Sequence, residues 1–191
     1  MSQSTSSLDL AALNRMDRRA FVDALGSTFE HSPWVAEGAW MARPFASVEA
    51  LHAAMLDVVQ RAPRETQVSF LCGHPELAGK EAQAGAMTRE SVGEQASAGL
   101  DALSRAEVAE LSALNRRYRE RHGFPFIVAV RRYGKPEIFE QLRRRLDVES
   151  DEELQEALRQ IAWITRLRVH AKVAPEPRAS KGSEPRHSRP L

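Results

Sequence analysis

Only one cysteine, Cys72, stands among the 191 residues, so no disulfide can form within the chain, and a reducing compartment suits it. Excess charge of either sign is also missing. The 27 basic residues face 26 acidic ones, a formal net charge of +1, which argues against a nucleic acid or a membrane surface as partner. No apolar run approaches the ~20 residues that a membrane-spanning helix needs. The N-terminal MSQSTSSLDL lacks the basic and apolar regions of a secretory signal, and a cytoplasmic protein is expected. The six histidines show no HExxH or comparable metal spacing, so no metal site is expected. No glycine-rich loop is built to cradle phosphate, and there is no internal repeat.

What is present is the composition of a soluble globular domain, with 42% hydrophobic and 28% charged residues. Residues 1–8 are Ser-rich, and 174–191 are Pro, Ser and charge with little to bury, so both ends are expected to be disordered tails around one folded unit over 9–173. Within that unit the apolar period is helical. Leu13, Met16, Ala20, Phe21, Ala24 and Leu25 recur at three- and four-residue steps, as do Val48, Leu51, Met55 and Val59. Pro63 and Pro136 mark helix starts, and Gly123 marks a stop. Three Ser-x-x-Glu signatures, Ser91 to Glu94, Ser104 to Glu107 and Ser150 to Glu153, each predict a capping box at a helix N-terminus. Only GFPFIVAVRRYG (123–134) reads as non-helical, and it has no partner strand. The expected fold is all-α: a single-domain helical bundle with one extended segment, about 124–131, lining a pocket.

Candidate chemistry is sparse. His74 precedes Pro75, which biases it out of the helix and into a loop. Read blandly it is an idle surface histidine; read functionally it is an acid–base group near neutral pH. Glu94 is accounted for by its capping box, yet Gly93 in the same turn costs roughly 1 kcal/mol against Ala and fits a backbone that something approaches closely. Residues 126–130 read as core by type, but a non-helical segment has N–H and C=O groups that need partners. Cys72, with no basic neighbour, reads as a buried structural thiol. The arginine clusters lie among glutamates and read as solvated helix faces.

Taken in order, these blocks resemble the OHCU decarboxylase family, where OHCU is 2-oxo-4-hydroxy-4-carboxy-5-ureidoimidazoline. The matching residues are FEHSPWVAE (29–37), Trp40, Arg43-Pro44-Phe45, HPELAG (74–79), SVGEQASAGL (91–100), Asn115 with Tyr118, and GFPFIVAV (123–130). The resemblance implies a helical bundle, a homodimer, no cofactor, and conversion of OHCU to (S)-allantoin and CO2 in urate breakdown. It implies that His74 is the acid–base residue and proton donor, and that Glu94 holds substrate N–H groups and polarises His74. Arg168, or else Arg166, is implied to balance the substrate carboxylate. Pro75, Ser91, Val92, Gly93, Glu94 and Gln95 are implied to bind substrate, with backbone groups of Phe126, Ile127, Val128, Ala129 and Val130 gripping the amide edges of the ring. A helical adaptor without chemistry, or a lyase for a related ureido or hydantoin ring, is the alternative.

Overall fold

A computed structural model describes residues 8–79 and 88–174. Among them nine α-helices form: α1 (Leu10–Arg15), α2 (Arg18–Leu25), α3 (Pro33–Ala39), α4 (Val48–Gln60), α5 (Arg64–Cys72), α6 (Arg89–Ser97), α7 (Arg105–His122), α8 (Lys135–Arg145) and α9 (Ser150–Lys172). Short polar side chains set the starts. Asp17 accepts from the Ala20 amide at 2.8 Å, Ser47 from Ala50 at 3.1 Å and Thr88 from Ser91 at 3.3 Å, each satisfying one orphan donor of its helix. Helix α7 ends at Gly123, whose φ of 82° is open to a residue without a Cβ. No helix among the described residues is long and apolar enough to cross a membrane.

The apolar stripes close on one core that includes Leu13, Phe21, Phe29, Leu51, Met55, Tyr118, Phe124 and Ile161. Helix α9, 23 residues long, runs through it and packs against α4 and α7. Helices α3 and α4 approach closely because residue 38 is glycine: a Cβ there would lie 2.8 Å from the methyls of Val58. Arg43 ties the first helices together, donating to the carbonyls of Asn14 (2.9 Å) and Trp40 (3.0 Å). Its guanidinium lies 4.1 Å from the Trp40 ring centroid.

Several expectations need revision. Of the three capping boxes only that of Ser104 and Glu107 forms, with bonds of 3.2 and 2.8 Å. Thr88 takes the cap of α6, which frees Ser91 and Glu94 for other partners. Helix α9 has Glu149 at its N-cap position with no side-chain cap bond, because Glu153 is buried and paired with Arg145. Cys72 is exposed rather than buried. A short parallel ladder, Leu8–Asp9 against Val173–Ala174, takes in Leu8 and Ala174, each one residue outside the expected unit. The rest of both tails lies outside the described residues.

Candidate active site

Helix α5 stops where Pro75 demands it. Gly73 is the cap residue, and the amide of His74 still donates to Leu71 at 3.0 Å. The imidazole then turns inward and is buried, not idle on the surface. The turn behind it is stitched by two amides: Gln95 accepts from the Ala78 amide at 2.9 Å, and Asn115 donates to the Leu77 carbonyl at 3.1 Å. Ala78 is held there at φ 47°, a conformation costing roughly 1–2 kcal/mol for a residue with a Cβ.

Nδ1 of His74 is 3.3 Å from the Phe70 carbonyl oxygen. A carbonyl only accepts, so Nδ1 carries the hydrogen and Nε2 presents a lone pair. Nε2 is buried with no hydrogen-bond partner among the described residues. Burial pushes the imidazole down to about 4, against the pull of the Glu30 charge and the Phe70 bond, which act to raise it. His74 is therefore neutral at pH 7 and begins as a proton acceptor. The donor role expected of it requires that it first take a proton.

Beside it lies Arg168 of α9, also buried. Nε and Nη2 grip the two oxygens of Glu94 at 2.9 and 2.8 Å. Nη2 also donates to Ser91 Oγ at 3.0 Å, while Nη1 donates to Glu30 Oε2 at 2.7 Å and to the Thr28 carbonyl at 3.4 Å. All five guanidinium hydrogens are engaged. Glu30 accepts further from Thr88 at 2.8 Å and from Ser91 at 2.9 Å. Burial acts to raise the Glu30 carboxyl, but these bonds and the Arg168 charge outweigh it and hold the group below its ordinary value.

The expected pairing of Glu94 with His74 is thus replaced by one with Arg168, and the carboxylate whose charge bears on His74 is Glu30. Glu30 lies within the FEHSPWVAE block but was not among the expected site residues. It follows buried Phe29 and precedes exposed His31, in a turn at φ 52° outside any helix, so no periodicity singles it out.

His74, Pro75, Ser91, Glu94, Gln95, Phe126, Ile127, Val128, Val130 and Arg168 converge on one hollow of about 40 Å³. Val92 and Gly93 do not join it: Val92 is 47% exposed, and a Cβ on Gly93 would meet nothing within 4 Å. Ala129 and Arg166 line a larger hollow alongside. Residues 124–129 are neither helix nor strand, as expected, but the end of the expected extended segment, Val130 and Arg131, turns into a short 3-10 helix (Val130–Arg132), and not all of the backbone is available to a ligand. The Ile127 carbonyl accepts from Arg145 at 2.9 Å, and the Ala129 amide donates to Gln160 at 2.9 Å. Arg145 is in turn fixed by Glu153, which also accepts from Tyr118. The segment is held from behind by buried polar groups because its own backbone cannot be left unpaired. No group of His, Cys, Asp and Glu that could hold a metal ion occurs among the described residues.

A neutral buried imidazole facing a saturated arginine–carboxylate cluster, on an all-helical frame, defines a protein suited to moving a proton on a small anion. The chain belongs to the OHCU decarboxylase family, whose model matches residues 14–170. It is 43% identical over 169 residues to the 2-oxo-4-hydroxy-4-carboxy-5-ureidoimidazoline decarboxylase of Haloferax volcanii, covering 88% of this chain and 98% of that one. It is also 43% identical over 157 residues to the uric acid degradation bifunctional protein PucL of Bacillus subtilis, covering 82% of this chain and 31% of that one. Among solved structures, the crystal structure of (S)-allantoin synthase superimposes with a TM-score of 0.68 at 26% identity, over 87% of this chain and 54% of that one.

Proposed function

We propose that this protein decarboxylates OHCU to (S)-allantoin and CO2 in urate breakdown, with His74 as the acid–base group. The observation that carries the reading is the lone Nε2 of His74 in the hollow it shares with Arg168, in a chain of this family.

The substrate supplies its own electron sink. Its carboxylate and hydroxyl share a ring carbon whose neighbour is a C=N carbon. When the C–CO2 bond breaks, the electron pair moves into that imine and its nitrogen takes one proton from solvent, the one proton that the overall reaction consumes. The enol left behind becomes allantoin when its hydroxyl loses a proton and the adjacent carbon gains one. Neutral His74 can do both: Nε2 accepts the hydroxyl proton and returns it to one face of that carbon, which fixes the stereochemistry. The Phe70 carbonyl keeps the ring oriented and favours the transient imidazolium.

Arg168 meets the substrate carboxylate by exchanging a partner. Glu94, with its side chain 12% exposed, is the carboxylate that yields, while Glu30, 1% exposed, stays. An arginine already balanced by Glu30 grips the carboxylate without over-stabilising the charge that must be lost as CO2 leaves. Glu30 is here a positioning residue, and Glu94 is released to accept from ureido or ring N–H groups. Pro75, Ser91, Gln95, Phe126, Ile127, Val128 and Val130 form the walls. Homodimerisation and a cytoplasmic location go with this reading, and light scattering on the purified chain tests the first.

The reading is tested by making OHCU in the cuvette from urate with urate oxidase and hydroxyisourate hydrolase, then following near-UV circular dichroism after adding this protein. A rapid optically active allantoin signal supports it. A trace no faster than spontaneous decay overturns it.

A further inference from the structure

We propose that the larger hollow beside the catalytic pocket is a capture site for a planar, carboxylate-bearing heterocycle, holding the substrate before it reaches His74. The inference rests on the reading under Proposed function. The hollow measures about 450 Å³ and shares Glu94, Val130 and Ile164 with the catalytic one. That volume lies in the range of small-molecule sites, roughly 300–1,000 Å³. The catalytic hollow is much the smaller of the two, about 40 Å³. A substituted ring fits there only once a wall moves, and the larger hollow is the adjoining space that can hold it until then.

The chemistry of the larger hollow selects what it holds. Arg131, Arg132 and Arg166 line it, all exposed, and none has an ion-pair partner among the described residues. The carboxylate on its wall, Glu94, is already neutralised by Arg168. Glu49 lies nearby, 3.5 Å from His170, and its charge bears on Arg166, while Glu90, which lines a smaller hollow with Arg131, is paired with Lys172. Trp163, 44% exposed, gives a flat apolar face with the Arg132 guanidinium 4.2 Å from its ring centroid. Fork-shaped donors beside an aromatic plane suit a carboxylate attached to a flat ring. Uncompensated cations at the mouth also raise the encounter rate of an anion, by 10-fold or more at low salt in order of magnitude. Glu94 links the two hollows: when the captured carboxylate competes for Arg168, Glu94 swings away and the passage opens.

The test compares the wild type with the triple variant Arg131→Gln, Arg132→Gln, Arg166→Gln, in OHCU turnover from about 20 to about 300 mM salt. The loss is expected in kcat/KM, roughly 10-fold at low salt and fading as salt rises, with kcat changed far less. Equal kcat/KM and equal salt dependence in the two proteins, or a loss residing in kcat, overturns the proposal. A second arm needs no turnover. Orotate, a planar anionic ring, should quench tryptophan emission of the wild type and uracil should not, with the signal lost in Trp163→Phe and in the triple variant. Quenching that survives Trp163→Phe places the anion elsewhere and refutes the capture site. A wild type that binds orotate at Trp163 but leaves OHCU untouched refutes the decarboxylase reading alone.

Discussion

Replacing Arg168 by Met isolates the energetics of the cluster. In the native fold one cation is shared by Glu30 and Glu94, whose side chains are 1% and 12% exposed. Arg168→Met leaves both carboxylates facing each other without a counter-charge. Removing one partner of a buried pair costs about 3–5 kcal/mol, or roughly 10 °C in Tm at 2–4 °C per kcal/mol for a domain of this size. Glu30→Gln alone is milder, since Arg168 keeps Glu94; the loss of one charge-assisted bond costs about 1.5–3 kcal/mol. The double variant should be no worse than Arg168→Met, because it retains only Glu94, the carboxylate nearer solvent. The two changes then couple by roughly 2 kcal/mol.

Urea unfolding followed by far-UV circular dichroism at pH 8 measures all three. The pH dependence adds an independent check. With Arg168 present, the Glu30 carboxyl is lowered, so its contribution exists above the ordinary carboxylate value and is lost as pH falls. Without Arg168, burial raises it, and protonation at lower pH relieves the strain. The deficit of Arg168→Met should therefore shrink between pH 8 and pH 5. Additive single effects, or a deficit that is flat with pH, would show that Arg168 and Glu30 do not act as one buried unit.

Three further outcomes follow from the same geometry. His74→Asn should cut OHCU turnover by ~10² or more with the helical circular dichroism retained, and the acid limb of wild-type kcat/KM should fall near pH 4 rather than 6.5; near-wild-type turnover refutes the role. The buried imidazole also predicts acid sensitivity. Its folded value is about 4 against 6.5 in the unfolded chain, so the unfolded state binds the extra proton between those values and stability falls by about 3 kcal/mol from pH 7 to pH 4 on this account; denaturant melts of His74→Asn against wild type should lack that component. Finally, Ser104→Ala should cost about 1 kcal/mol as a lost cap, whereas Glu153→Gln should cost about 3–5 kcal/mol as a lost partner of buried Arg145; equal costs would contradict the assignment of Glu153.

The helices and their ends were legible because their causes are local. Val48, Leu51, Met55 and Val59 repeat at the helical period within α4, Pro63 and Pro136 lie where a missing N–H costs nothing, and Gly123 takes the left-handed cap. The placement of His74 was legible for the same reason: the residue before Pro75 leaves the helix. That His74 is buried was not, because what covers it, Phe70 edge-on at 5.1 Å and the Arg168 cluster, comes partly from the far end of the chain.

The two capping boxes that do not form show where local reading stops. Ser91 to Glu94 and Ser150 to Glu153 have the same signature as Ser104 to Glu107, and the residue types do not separate them. A cap contributes about 1 kcal/mol, while a buried arginine left without its carboxylate costs several times that. Where α9 carries Arg168 against Glu94 across 74 residues of sequence, and where Arg145 meets Glu153, the ion pair outcompetes the cap. At Ser104 no buried cation is in reach, and Glu107 closes its box and pairs with Lys135 at the surface. Glu30 follows the same logic from the other side: 138 residues separate it from Arg168, and its value lies wholly in that contact. A glutamate at the fourth place of Ser-x-x-Glu is thus a cap by default, and becomes part of a site when the fold brings it a buried arginine.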